Sequence, residues 1–76
     1  MNAFPRISHD ANIMGGKACI KGTRVTVGMI LTLIGAGKTP GDVLDDYPYI
    51  THEDIMEAVN YGAWLAEGKE DMIVFA

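Results

Sequence analysis

A chain of 76 residues and 8.2 kDa has room for one small domain. Its 49% apolar and 21% charged residues and net charge of −4 exclude intrinsic disorder, and no apolar run approaches the ~18 residues that a membrane helix needs. One cysteine cannot close an internal disulfide; with no charged-then-apolar leader, that excludes a stapled secreted scaffold and makes a cytoplasmic location the expectation.

The first 26 residues read as a β-arm. Residues 4–10 (FPRISHD) and 17–21 (KACIK) are compatible with short strands. Gly15-Gly16 between them suits a tight turn, because glycine reaches positive φ without a Cβ clash. Gly22-Thr23 punctuates before a third short stretch over 24–27. Helices follow. Over 27–36, Val27, Ile30, Leu31 and Ile34 recur at helical spacing, and Met29 and Leu33 are expected to widen the buried stripe. Thr26 is the expected N-cap; Gly35 and Gly37 end the helix. Thr39-Pro40-Gly41-Asp42 opens a second, short helix with a capping threonine, a proline at the first position and an acid at the third. Val43 and Leu44 anchor it and Tyr47-Pro48 stops it.

Thr51 begins a third helix, with Ile55, Ala58, Val59, Gly62 and Ala66 on one stripe, Trp64 and Leu65 on its neighbour, and Gly68 as the stop. The pattern predicts a mainly α single domain over 1–76: a short N-terminal β-arm (1–26), a trihelical helix-turn-helix unit (27–67) and a short tail (68–76). Residues 72–75 (MIVF) within the tail fit a strand or a dimer contact.

Catalysis has little to stand on, and no enzyme is expected. Cys19 lies between Ala18 and Ile20 without a base at strand or helix spacing, as a buried, inert thiol does. His9 and His52 lack further ligands at metal spacing, so neither a metal nor another cofactor is expected. Gly15-Gly16-Lys17 and Gly22-Thr23 miss the spacing of a phosphate loop, and no helix follows the lysine.

Charge is unevenly placed. Residues 1–38 hold five basic side chains against one acid, a net of +4; residues 39–76 hold one against nine, a net of −8. A helix-turn-helix reader inserts the start of its last helix into DNA, but here that start carries His52, Glu53, Asp54 and Glu57 with no lysine or arginine, and phosphates would repel its three acids. Lys17, Lys21 and Arg24 in the arm are therefore the candidate DNA contacts. For Arg24 a structural role, pairing with an acid such as Asp46 or capping carbonyls, is favoured over a contact with DNA or a partner. Tyr47-Pro48-Tyr49 reads as a helix breaker whose rings pack on the core. Asp42, Asp46, Glu53, Asp54 and Glu57 are the candidate contacts for a basic protein partner. Ordering a chain costs roughly 1.5 kcal/mol per residue, which domains this small rarely offset comfortably, so a homodimer is expected.

One ordered set of residues is specific enough to name a family. Gly16-Lys17, Ile20-Lys21-Gly22-Thr23-Arg24-Val25, Ala36-Gly37-Lys38-Thr39-Pro40, Asp46-Tyr47-Pro48-Tyr49-Ile50-Thr51 and Glu53-Asp54-Ile55 with Ala58 and Tyr61 resemble the small bacterial and archaeal proteins grouped as domain of unknown function 433. The resemblance runs from about Arg6 to Trp64. It implies an N-terminal β-arm, a homeodomain-like or winged-helix-like trihelical unit, and dimers. It further implies a non-enzymatic antitoxin of the virulence-associated-protein B type, binding a PIN-like nuclease toxin and its own operator DNA. The alternatives are a DNA-binding regulator without a toxin and an acidic protein-interaction module. Ala18 stands where the family usually has proline and Gly41 where an acid is common; neither change removes a candidate site residue.

Overall fold

Residues 3–70 are described by the computed structural model, the side chains of 69 and 70 apart. The tail segment 72–75 lies outside the described residues.

The arm forms around Ile20. Strand β1 (Ile7–Ser8) pairs antiparallel with β2 (Cys19–Ile20), setting Ile7 opposite Ile20 and Ser8 opposite Cys19. The other edge of β2 is covered by the residues that follow it: Ile20 N–H donates to Val25 O at 2.9 Å and Val27 N–H to Ala18 O at 2.9 Å, with a bridge between Cys19 and Thr26. The Gly22-Thr23 pair makes this reversal. Gly22 sits at φ +80°, and the Thr23 hydroxyl donates to Ile20 O at 2.8 Å while accepting from Val25 N–H at 3.0 Å. The threonine thus supplies the hydrogen bonds that such a short ladder lacks.

The strands are shorter than the sequence predicts, two residues each rather than five to seven, because 10–18 forms a loop instead of extending both legs. The expected Gly15-Gly16 turn is a single 3-10 turn over Met14–Gly16, with positive φ at all three residues.

Three helices complete the domain: α1 (Val27–Gly35), α2 (Pro40–Asp46) and α3 (His52–Glu70). Each begins at its predicted threonine. Thr26 Oγ1 accepts from Met29 N–H at 3.0 Å, Thr39 Oγ1 from Asp42 N–H at 3.1 Å, and Thr51 Oγ1 from Asp54 N–H at 3.1 Å. Asp42 and Asp54 return the bond to the threonine N–H at 3.0 and 2.9 Å, closing two capping boxes. α1 ends as predicted, with Gly37 at φ +96° just past it. Gly68 does not end α3, which continues to Glu70. A helical glycine costs about 1 kcal/mol, too little to stop a helix between Glu67 and Lys69, both good helix formers.

Ile30 of α1, Val43 of α2, and Ile55 and Ala58 of α3 are fully buried, and Ile7, Ile20 and Val25 close the core from the arm. Burying each large aliphatic side chain is worth about 1.5–3 kcal/mol. Met29 is a correction: it is 38% exposed rather than part of the buried stripe, and Leu33 is only half-buried. Trp64 and Leu65 are exposed as well, because α3 outruns the body it packs on. Tyr47 packs against the core, whereas Tyr49 stays exposed, its ring edge-to-face with that of Tyr47 at a centroid distance of 6.2 Å.

Candidate nucleic-acid interface

The β-arm carries four basic residues, and the fold separates them into two groups. Arg6 is consumed internally. Its guanidinium Nη1 lies 3.2 Å from Asp54 Oδ1 and its backbone N–H donates to Glu57 Oε2, so β1 is clamped to the first turns of α3. Lys17, Lys21 and Arg24 are exposed, and among the described residues their side chains form no hydrogen bond or ion pair. Lys17 stands between the 3-10 turn and β2. Lys21 directly follows β2, with its backbone N–H held by Arg6 O at 2.8 Å. Arg24 follows the Gly22-Thr23 turn. All three are thus carried on hydrogen-bonded backbone with cationic ends in solvent, the arrangement that phosphate contact requires. Arg24 does not pair with Asp46, which instead lies 3.9 Å from Lys38 in a pair whose partners are both about half-exposed. Such a pair contributes little.

The predicted acidic docking residues are not one free surface. Asp54 and Glu57 hold Arg6, Asp42 closes the α2 capping box, and Asp46 faces Lys38. Glu53 is exposed with no partner among the described residues. The Thr39 backbone N–H, and then its hydroxyl, hold the Asp42 carboxyl below its ordinary pKa of 3.8. The side chains exposed on the first turns of α3 are His52, Glu53, Met56 and Asn60, with no cation among them.

A sequence reading pairs neither Arg6 with α3 nor His9 with Tyr61. His9 Nε2 and Tyr61 Oη are 2.9 Å apart, and Tyr61 stands edge-on to Phe4 at 5.2 Å. Aromatic residues at both ends of the chain were visible in the sequence; their meeting was not. Cys19 is buried. Among the described residues no three His, Cys, Asp or Glu side chains converge on a metal position, and no helix is long and apolar enough to cross a membrane.

A three-helix domain with an antiparallel hairpin at its N-terminus defines the class of protein. The sequence profile of a family of proteins of unknown function, DUF433, matches residues 7–62, and the chain belongs to that family. The crystal structure of a DUF433 member protein from Anabaena variabilis superposes with a TM-score of 0.77 at 27% identity, over 88% of this chain and 66% of that one. This chain therefore spans just under two thirds of that relative's length. No curated protein matches.

Proposed function

We propose that this protein is a non-enzymatic antitoxin that binds its own operator through the β-arm and a PIN-like nuclease toxin through its helical surface. The observation that carries the DNA half is the exposure of Lys17, Lys21 and Arg24 without intramolecular partners, while Arg6 beside them is neutralised. Phosphate neutralisation supplies most of the affinity of such contacts. The acidic start of α3 argues against the usual docking of a recognition helix, and strands also enter grooves. The toxin half follows from the resemblance to antitoxins of the virulence-associated-protein B type, and exposed Glu53 with the half-exposed Lys38–Asp46 pair is the surface left to it.

The test has two arms. Labelled DNA from upstream of the gene should be retained at low salt and released as salt rises. Co-expression with a PIN-like nuclease encoded beside the gene should restore growth and co-purify the two chains. DNA binding without toxin capture would leave a regulator without a toxin; failure of both arms would overturn the proposal.

A further inference from the structure

An open groove of about 1070 Å³ lies where the arm meets α1 and α3. The helices supply its apolar walls, with Val27, Leu31 and Leu33 from α1 and Leu65 and Ala66 from α3. Gly28 widens it, since a Cβ there would meet nothing nearer than Thr26 Oγ1 at 4.0 Å. Its two threonine hydroxyls are already bonded to α1: Thr26 accepts Met29 N–H, and Thr32 donates to Gly28 O at 2.8 Å. The arm supplies the remaining polar groups. Lys17 is exposed and its ammonium has no ion pair, while His9 Nε2 lies 2.9 Å from the Oη of buried Tyr61. Among the described residues no acid lines the groove, so Lys17 is its one full charge.

We propose that this groove binds an aliphatic carboxylate of medium chain length, its head on Lys17 and the His9–Tyr61 pair and its chain between α1 and α3. Charge complementarity selects the head. A neutral hydrocarbon laid along these walls would take water from an unpaired ammonium and give nothing back, whereas a carboxylate replaces that water with a charge-assisted bond. The His9–Tyr61 pair can add a second. When Nε2 carries the proton, the imidazole donates to Tyr61, and the phenolic O–H is left to donate to the ligand. The walls select the chain: small-molecule sites are mostly apolar with a few placed polar groups, and commonly occupy about 300–1,000 Å³. A protein helix fits less well. Trp64, the large aromatic that would anchor one, is already packed on Phe4 and Tyr61, with ring centroids 5.7 and 5.8 Å away. The inference goes beyond the DNA reading and does not depend on it.

Calorimetric titration of the full chain with decanoate below its micellar concentration, without DNA, tests this. Saturable binding is expected, with amide NMR shifts concentrated in 27–33 and 61–66. Octanoate should bind about 10-fold more weakly, because two fewer methylenes are buried. Lys17→Glu should weaken decanoate by about 10-fold or more and leave decanol unchanged, as loss of a bond to a charged group implies. Lys21→Glu, also exposed but outside the groove lining, should change neither. Leu65→Asp, at an exposed position, should keep the circular dichroism spectrum and weaken both ligands. Absence of saturable binding at millimolar decanoate overturns the proposal, including where residues 71–76 or a second copy fill the groove. So does binding whose NMR shifts lie elsewhere, or binding that Lys17→Glu leaves unchanged.

Discussion

Arg6 and Asp54, 48 residues apart in sequence, meet at 3.2 Å and join the arm to the first turn of α3. The two partners do not have equal roles. Asp54 is 13% exposed and also accepts Thr51 N–H at 2.9 Å, whereas Arg6 is 45% exposed. Asp54→Ala should cost about 1–2 kcal/mol, the sum of a lost cap and a weak ion pair. Arg6→Ala should cost less than about 1 kcal/mol, with a coupling of only a few tenths in the double mutant. Urea denaturation of the three variants measures this. Equal losses from the two single changes would assign the energy to the pair instead of the cap.

α1 packs tightly against α3 at Gly62. A Cβ there would stand 2.5 Å from Leu31 Cδ1 and 3.4 Å from Cδ2. Alanine is worth about 1 kcal/mol more than glycine in a helix, and overpacking costs about 1–3 kcal/mol, so the outcome depends on how far Leu31 yields. Leu31 is half-buried and the clash falls on its flexible end, so Gly62→Ala should be destabilising by no more than about 1 kcal/mol. Adding Leu31→Ala should remove that penalty, making the double mutant less destabilised than the sum of its parts. Strict additivity in thermal or urea melts would show that the helices separate instead.

Local chemistry was the legible part of the sequence. Thr26, Thr39 and Thr51 each announce a helix start because a cap bonds within three residues, and Tyr47-Pro48 announces an end for the same short-range reason. Met29 was misplaced because periodicity identifies an apolar stripe but not how much of it the rest of a small domain can cover. The cations of the candidate interface were visible as residues. That Arg6 is spent on Asp54 and Glu57 while Arg24 is left unpaired depends on contacts across about fifty positions, which no local pattern encodes.

The capping box of α2 gives the fold an acid-sensitive point. The Thr39 backbone N–H, with its hydroxyl next, lowers the Asp42 pKa below 3.8, so folding favours the carboxylate. A lowered carboxyl contributes stability that is fully present above its unfolded pKa and lost as pH falls through its folded one. The stability contributed by Asp42 should therefore be fully present and independent of pH around neutrality, and decline below about pH 4. Asp42→Asn, which keeps an acceptor but cannot titrate, should flatten that acid limb in denaturation measured from pH 6 to pH 2. An unchanged acid limb would show that other carboxylates govern it.

The arm makes the sharpest prediction about DNA. Lys21 and Arg24 lie on either side of the Gly22-Thr23 turn, and neither side chain has an internal partner among the described residues. Removing both should cost DNA affinity and little else, so Lys21→Ala with Arg24→Ala should abolish operator binding near physiological salt. Each phosphate contact contributes roughly one unit to the slope of log affinity against log salt, so binding that persists at low salt should show a slope shallower by about two units. The variant should melt within about 0.5 kcal/mol of wild type, since surface substitutions away from structural contacts usually do. Glu57→Gln retains an acceptor for the Arg6 N–H while removing a charge near the arm, and should leave DNA affinity unchanged or slightly higher. Fluorescence anisotropy across a salt series reads both variants against the wild type. Normal binding by the arm variant, with loss of sequence preference on changing His52 or Asn60, would make the exposed first turns of α3 the reader and the arm a bystander.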